Sequence, residues 1–497
     1  MGEVFSENLA GLANFANAKF TAIISDLHLC EEEPVHHDHP LWKKYKSRQF
    51  FFDQEFEEFL KHVRERAKGE PVELILNGDI FDFDSVTTLP ELPPYRLSWL
   101  ERRRGLHPQK EKSEFKIQRI LQHHEQWVRA LSQFVQEGNR VIFIIGNHDL
   151  ELHFHRVQEA IVEALNLTED AKQRVRFNEW FYISNGDTLI EHGNQYDPYC
   201  MAQDPVNPYV LRFNRIEVRV PFGNLATRYL INGMGFFNPH VDTNYLMSAK
   251  EYVRFFFRYM IRAQPLLMVD WFWGSTVTLV QSFVDRLRPS LRDPLTIEDR
   301  VQWIAAKANA TPRMVRELQE LFVAPASSYP TIIAKELWLD RAFLVVAFLL
   351  LMMQLMLFLA TMENKFMWWV ILPIVPLLFF VPFFIFYSRT VASLVVESKE
   401  PKEEILAMAG QITKTNRIVY GHTHIMRHEV IGPIEHLNSG TWSPAFADVE
   451  CEKPVGLKTF VWLEPTNDGG RHALLLAFRH SRSFAAFAAP KRHTVGA

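Results

Sequence analysis

"RVIFIIGNHDL", Arg140 to Leu150, is apolar from Val141 to Ile145 and then breaks at Gly146 into Asn147, His148 and Asp149. A short run of β-branched and aromatic residues that stops at Gly-Asn reads as a buried strand closed by a tight turn. The pattern recurs along the chain. "AIISDLHLC" (22–30) ends on Asp26 and His28, and "VELILNGDIFDFD" (72–84) breaks at Gly78-Asp79. "DTLIEHGNQYD" (187–197) delivers His192, and "NRIVYGHTH" (416–424) delivers His422 and His424. In open α/β sheets the carboxyl ends of strands form the rim where ligands bind. The five strands would therefore bring two aspartates, an asparagine and four histidines to one edge. Carboxylate, amide and imidazole donors without a thiolate suit manganese, iron, zinc or a similar divalent ion. That donor set is too large for one ion, but it serves two that share a carboxylate. Paired ions about 3.5–4 Å apart are the usual apparatus for in-line attack on phosphorus.

The bulk properties set wider bounds. A chain of 497 residues predicts two or three structural units, and 47% hydrophobic with 23% charged residues is a globular composition. A net charge of −4 argues against a nucleic-acid partner, since phosphate-backbone binders are usually basic. Cys30, Cys200 and Cys451 lie far apart with no C-x-x-C pair, which fits neither a disulfide framework nor a structural zinc site. A reducing compartment suits them best. The N-terminus lacks a secretion signal, although Gly2 and Ser6 match the short N-myristoylation pattern.

The motifs D-x-H, G-D, G-N-H-D, H and G-H-x-H, in that order and each behind an apolar strand, resemble those of the calcineurin-like metallophosphoesterases. The likeness covers the first 200 residues and the last 100 or so. It implies an αββα sandwich with two divalent metals at the sheet edge. It assigns Asp26, His28 and His424 to the first metal and Asn147, His192 and His422 to the second, with Asp79 bridging. It further implies that His148 points at the phosphate, stabilising charge and protonating the leaving oxygen, while Asp82 pairs with it. A metal-activated water would be the nucleophile, with manganese foremost and iron or zinc as options. No Ser, Cys or Thr elbow is needed, and the reaction class is hydrolysis of a phosphomonoester, phosphodiester or pyrophosphate. "SDLHL" with "NGDIFD" is also similar to the UDP-2,3-diacylglucosamine pyrophosphohydrolases, which usually carry Arg where this chain has His148.

Other candidates have plain readings. Arg102, Arg103 and Arg104 in "ERRRGLHPQK" could hold an anionic head group or form a solvated face. His123 and His124 read as surface residues of an amphipathic helix, and Asp149 as a support of its own loop. Asn194 and Asp197 read as groups behind the ligands.

Two long apolar runs complete the picture. Residues 343–362 and 366–387 carry no charge, and either could cross a hydrocarbon layer of about 30 Å. Glu363, Asn364 and Lys365 join them, so the sequence predicts a two-helix transmembrane hairpin inside a large, mostly helical insertion. The basic residues Lys335, Arg341, Arg389, Lys399 and Lys402 flank its outer ends, and Trp368 and Trp369 suit an interfacial belt. The positive-inside rule then predicts an integral membrane protein with its catalytic part in the cytoplasm. A third run, 265–284, holds Asp270 and has Arg258 and Arg262 nearby, and reads as an interfacial or buried helix. Motif residues before and after the hairpin must meet on one side, so the crossings between His192 and His422 must be even in number.

The expected organisation is a phosphoesterase core over 1–200, a helical cap over 201–340, the hairpin over 341–390 and the rest of the core over 391–497. A lipid bilayer and a phosphorylated substrate, a lipid-linked one among the options, are the expected partners. A tethered phosphatase of soluble phosphoesters or phosphoproteins, and a non-catalytic membrane scaffold, are the alternative readings.

Overall fold

The computed structural model describes residues 15–493 except 16, 202–203, 213–214, 236–256, 258–266, 291–293, 362–365, 391–400, 479–484 and 487–490. Gly2, Ser6, Arg258, Arg262, Lys365 and Lys399 lie outside the described residues, as do the side chains of Trp368, Trp369 and Arg389.

The strands are β1 (Phe20–Ile24), β2 (Val72–Asn77), β3 (Arg140–Ile144), β4 (Val175–Asn178), β5 (Phe181–Ser184) and β6 (Thr188–Glu191). After the insertion come β7 (Arg417–Tyr420), β8 (Arg427–Ile431), β9 (Ile434–Asn438), β10 (Thr459–Pro465) and β11 (Arg471–Ala477). One sheet has the order β11-β10-β1-β2-β3-β4, with a short strand, Ala485–Ala486, outside β11, and β1 to β4 run parallel. The second has the order β8-β9-β7-β6-β5, with β6, β7 and β9 parallel and a short strand, Lys491–His493, outside β8. Parallel strands covered on both faces need apolar residues at every position, which explains the unbroken "VIFI" and "LIL" runs.

Side-chain alternation splits these runs between two cores. Ile23, Ile75, Ile142 and Ile144 meet Ile190, Val419 and Leu437 between the sheets. Ala22, Leu74, Val141 and Phe143 point the other way, toward helices α1 (Asp53–Arg66), α2 (Lys110–His123), α3 (Glu125–Gln136) and α4 (His155–Leu165). The insertion then supplies α5 (Leu267–Leu287), α6 (Pro294–Lys307), α7 (Pro312–Gln319), α8 (Leu339–Ala360) and α9 (Phe366–Thr390), followed by α10 (Glu403–Thr413). Val301, Ile304, Val315, Leu318, Leu406 and Ala409 of α6, α7 and α10 cover the second sheet. The layers are helix, sheet, sheet, helix.

Two sequence expectations are corrected here. The two-helix transmembrane hairpin, and the integral membrane topology with a cytoplasmic catalytic side that rested on it, are not found. Among the described residues one helix, α8, is long and apolar enough to cross a membrane by length and composition, and Pro373–Ser388 of α9 is a shorter apolar helix. Pro373, Pro376 and Pro382 all lie inside α9, where each removes a backbone donor. Nor can α8 cross alone. β6 before it pairs with β7 after it, Leu189 against Ile418, and a single crossing would part them.

His124 is the second correction, because it is buried rather than on the surface. The helix expected through it breaks there, at φ −116° and ψ 40°. Its ring bridges Asp53 Oδ1 at 2.7 Å and the Cys30 carbonyl at 3.0 Å. His123 is half-buried and accepts from the Glu32 amide at 2.7 Å.

Candidate active site

Every motif residue stands just past the end of a strand, and several stand on unusual backbone. Asp26, His28, Asp79, His422 and His424 have φ of 55°, 50°, 51°, 65° and 59°. Non-glycine residues in this left-handed region cost about 1–3 kcal/mol each and persist only where the surroundings over-determine them. The determining bonds are present. The Asp26 and His28 amides donate to the Gly78 and Asp79 carbonyls at 3.1 and 2.9 Å. The Asp26 carbonyl accepts from the Trp442 and Ser443 amides at 3.1 and 2.9 Å, and Asp26 Oδ2 from the His422 amide at 3.1 Å. Gly78 and Gly146 are required by close approach. A Cβ on Gly78 would overlap the His192 ring, and one on Gly146 would overlap Asp79.

The side chains meet in a single buried cluster. Among the described residues four groups have donor atoms close enough to share an ion: Asp26, His28 and His424; His28, Asp79 and His148; Asp79, His192 and His422; and Asp197, Cys200 and His422. His424 Nε2 lies 3.1 Å from Asp26 Oδ1 and 3.3 Å from His28 Nε2. His28 Nε2 lies 3.9 Å from Asp79 Oδ2. On the other side His192 Nε2 lies 3.2 Å from the same Asp79 oxygen. Asp79 thus stands between the two histidine groups.

The donor set fits divalent metal ions on a specific observation. His192 Nδ1–H donates to the Asn77 carbonyl at 2.9 Å, so in neutral imidazole Nε2 carries a lone pair. That lone pair faces the Asp79 carboxylate, and two acceptors so placed repel unless a cation or proton lies between them. Asn147 Oδ1 is likewise buried without a hydrogen-bond partner among the described residues. Burial works against a charged ring, yet the Asp79 carboxylate pushes the His192 imidazole up to about 9. A divalent ion would answer the same field and leave the ring neutral.

His148 is placed differently. Its amide donates to Asp79 Oδ1 at 2.7 Å, and its Nδ1 lies 3.4 Å from Asp82 Oδ1. Burial opposes protonation, but the Asp79 and Asp82 carboxylates push this imidazole up to about 10. Asp149 ties the loop, accepting from the Gly146 and Ile80 amides at 2.5 and 2.8 Å. Burial and the Asp79 charge push its carboxyl up to about 7.

Further residues stand behind these groups. Asp197 Oδ2 lies 3.1 Å from His422 Nε2, and Cys200 joins the same group. Asn224, from the insertion, donates through Nδ2 to the Asn147 carbonyl at 2.7 Å and to Asp84 Oδ2 at 2.6 Å. Arg228 pairs with Asp84 Oδ1 at 2.6 Å, and the Lys116–Glu151 pair lies beside it. Asn224 carries no sequence signal, because its role comes from folding a distant segment onto the GNHD loop.

The three arginines do not join the cluster. Arg103 lies over the Trp99 and Trp273 rings, each at 5.6 Å, and Arg104 lies 4.9 Å from Trp273 and bonds the Tyr229 carbonyl. No hydrogen bond or ion pair among the described residues links Arg102, Arg103 or Arg104 to it.

Comparison with known families matches residues 21–222 to the calcineurin-like phosphoesterases. The match spans β1 to β6 and their loops, and β7 completes the cluster with His422 and His424. A comparison with curated proteins returns no match. Matched motifs and clustered chelating side chains lead to one conclusion: this chain is a metal-dependent hydrolase carrying a calcineurin-like metallophosphoesterase domain.

Proposed function

We propose that the chain hydrolyses a phosphate ester or pyrophosphate of an amphiphilic or lipid-linked substrate with two divalent ions, manganese foremost. Asp26, His28 and His424 would hold one ion, Asn147, His192 and His422 the other, and Asp79 would be shared. The reading is carried by the Asp79 carboxylate, whose Oδ2 faces imidazole nitrogens of two separate groups at 3.2 and 3.9 Å. When bound, such ions lower the pKa of water and offset charge on the phosphoryl oxygens. His148 supplies what the acids cannot: a proton held at the cluster, ready for the leaving oxygen, with Asp82 fixing the ring. The apolar surfaces of α8 and α9 support an amphiphilic substrate, and the similarity to the pyrophosphohydrolases keeps pyrophosphates in the substrate class. The basic segment around Arg102 would contribute head-group binding at the edge of the insertion.

The test is turnover by purified protein with manganese against p-nitrophenyl phosphate, bis-p-nitrophenyl phosphate and a panel of lipid phosphates and lipid pyrophosphates. Asp79→Ala, Asn147→Ala and His148→Ala should each lower turnover by about 10²-fold or more. Wild-type rates in His148→Ala would remove it from the reaction. Turnover of soluble esters with no gain on lipid substrates would favour the tethered phosphatase. No turnover of any would favour a scaffold.

A further inference from the structure

α5 is built inside out. The residues it turns inward are polar or small: Ser275 and Thr278 are 0% exposed, and Gly274, Ser282 and Asp285 are buried beside them. Those it turns outward are apolar: Val269, Phe272, Val280, Phe283, Val284 and Leu287, with Phe272 51% and Leu287 68% exposed. Spacings of three and four residues put these side chains on one stripe. A surface helix in water carries the opposite pattern.

Two hydroxyls and the one carboxylate of the inward face have partners, while Ser275 Oγ is buried without one among the described residues. Thr278 Oγ1 donates to the Gly274 carbonyl and Ser282 Oγ to the Thr278 carbonyl, each at 2.8 Å. Asp285 is paired with Arg219 and Arg288 at 3.3 and 3.1 Å. Gly274 lets the helix approach the backbone of Tyr229 and Leu230 closely. Small residues at the contact, which let backbones approach closely, are the packing style of helices that face lipid.

The stripe does not end with α5. α5 packs on α8, and α8 with α9 exposes large apolar residues on every side, Phe343, Leu350, Phe358, Phe379 and Phe386 among them. Phe348 and Phe380 stack at 4.0 Å to hold the two helices together. Where the pair leaves the protein stand exposed Tyr329 and Trp338, with Arg341 lying 4.7 Å from the Trp338 ring. Arg286, at the end of α5, bonds the Ser328 carbonyl at 3.0 Å and is exposed. Aromatic and basic residues at such a boundary suit the headgroup layer. A protein partner would cover one face of α8 and α9, whereas hydrocarbon covers all of them.

We propose that the outward stripe of α5 and the α8–α9 pair form one docking surface whose occupant is a phospholipid leaflet. The insertion, not a transmembrane hairpin, then seats the domain on lipid. α5 lies against the segment that carries Asn224 and Arg228, so the leaflet and the candidate active site sit on either side of that segment. The proposal deepens the amphiphilic-substrate reading and rests on it for its purpose, but its test is separate.

The full chain is mixed with vesicles of phosphatidylcholine and phosphatidylglycerol, and the lipid concentration giving half-maximal flotation is read. The triple change Phe272→Gln, Phe283→Gln, Leu287→Gln should raise that concentration by about tenfold or more, while the same positions changed to Leu, or left as Leu, retain binding. Circular dichroism, and turnover of p-nitrophenyl phosphate with manganese, should stay at wild-type values in both variants. Unchanged flotation of the Gln variant overturns the proposal. So does a lipid-free dimer that this variant dissociates, which would assign the stripe to a second copy of the chain. A chain that floats through this stripe yet hydrolyses nothing would sink the catalytic reading and leave this one standing.

Discussion

At Asp79 a left-handed backbone, an amide bond from His148 and a facing His192 ring meet in one side chain. Gly78 makes this possible, since its φ of 78° and bare Cα admit the imidazole. Gly78→Ala should therefore cost about 1 kcal/mol or more in strain and displace His192, and manganese binding by calorimetry should fall with activity. Asp197→Asn leaves His422 without its carboxylate, and manganese affinity should weaken by about 10- to 100-fold. Asn224→Ala strands the Asn147 carbonyl and one Asp84 oxygen. Its kcat should fall by about tenfold or more with KM little changed, and Asn224→Asp, which sets a charge against Asp84, should be worse. Asp26, His28, Asn147 and the rest could be picked out of the sequence because each follows an apolar strand by one to four residues. Asn224 was not, because no local pattern links it to a loop that it reaches only through tertiary folding.

Elements were legible where periodicity alone decides them. The runs "AII", "LIL" and "VIFII" are strands because parallel sheets buried on both faces demand unbroken apolar sequence. Elsewhere a second constraint prevailed. The amphipathic pattern through His124 continues unbroken, yet the chain turns there because the ring bonds Asp53 and the Cys30 carbonyl. In α9 the composition suits hydrocarbon, but three prolines inside the helix, Pro373, Pro376 and Pro382, each remove a backbone donor. The segment Phe222–Met234 is joined to the core by a buried charge set, Arg228 on Asp84 beside Lys116 and Glu151. Removing one partner of such a set leaves a bare buried charge. Arg228→Ala should lower unfolding stability by about 3–5 kcal/mol in a urea titration, and a loss under 1 kcal/mol would show that water relieves Asp84.

The whole molecule is a sandwich closed by both ends of the chain. β10 pairs with β1, and β7 with β6, so His422 and His424 arrive beside Asp26 and His192 only when the sheets are complete. That closure explains why a single membrane crossing within the insertion is excluded. Order and chemistry of the motifs were readable in advance; the insertion was not, because its inside-out helix looks from sequence alone like either a buried or an interfacial one. Assembly at one edge also links metal to folding. With an ion at about 100 times its dissociation constant, stability should rise by about 2.7 kcal/mol per site, and chelation should lower the melting temperature accordingly. The most direct test is electron paramagnetic resonance during manganese titration of the full chain. Two ions per chain with an exchange-coupled signal, lost in Asp79→Ala, is the predicted result; a single uncoupled ion, or coupling that survives Asp79→Ala, would contradict it.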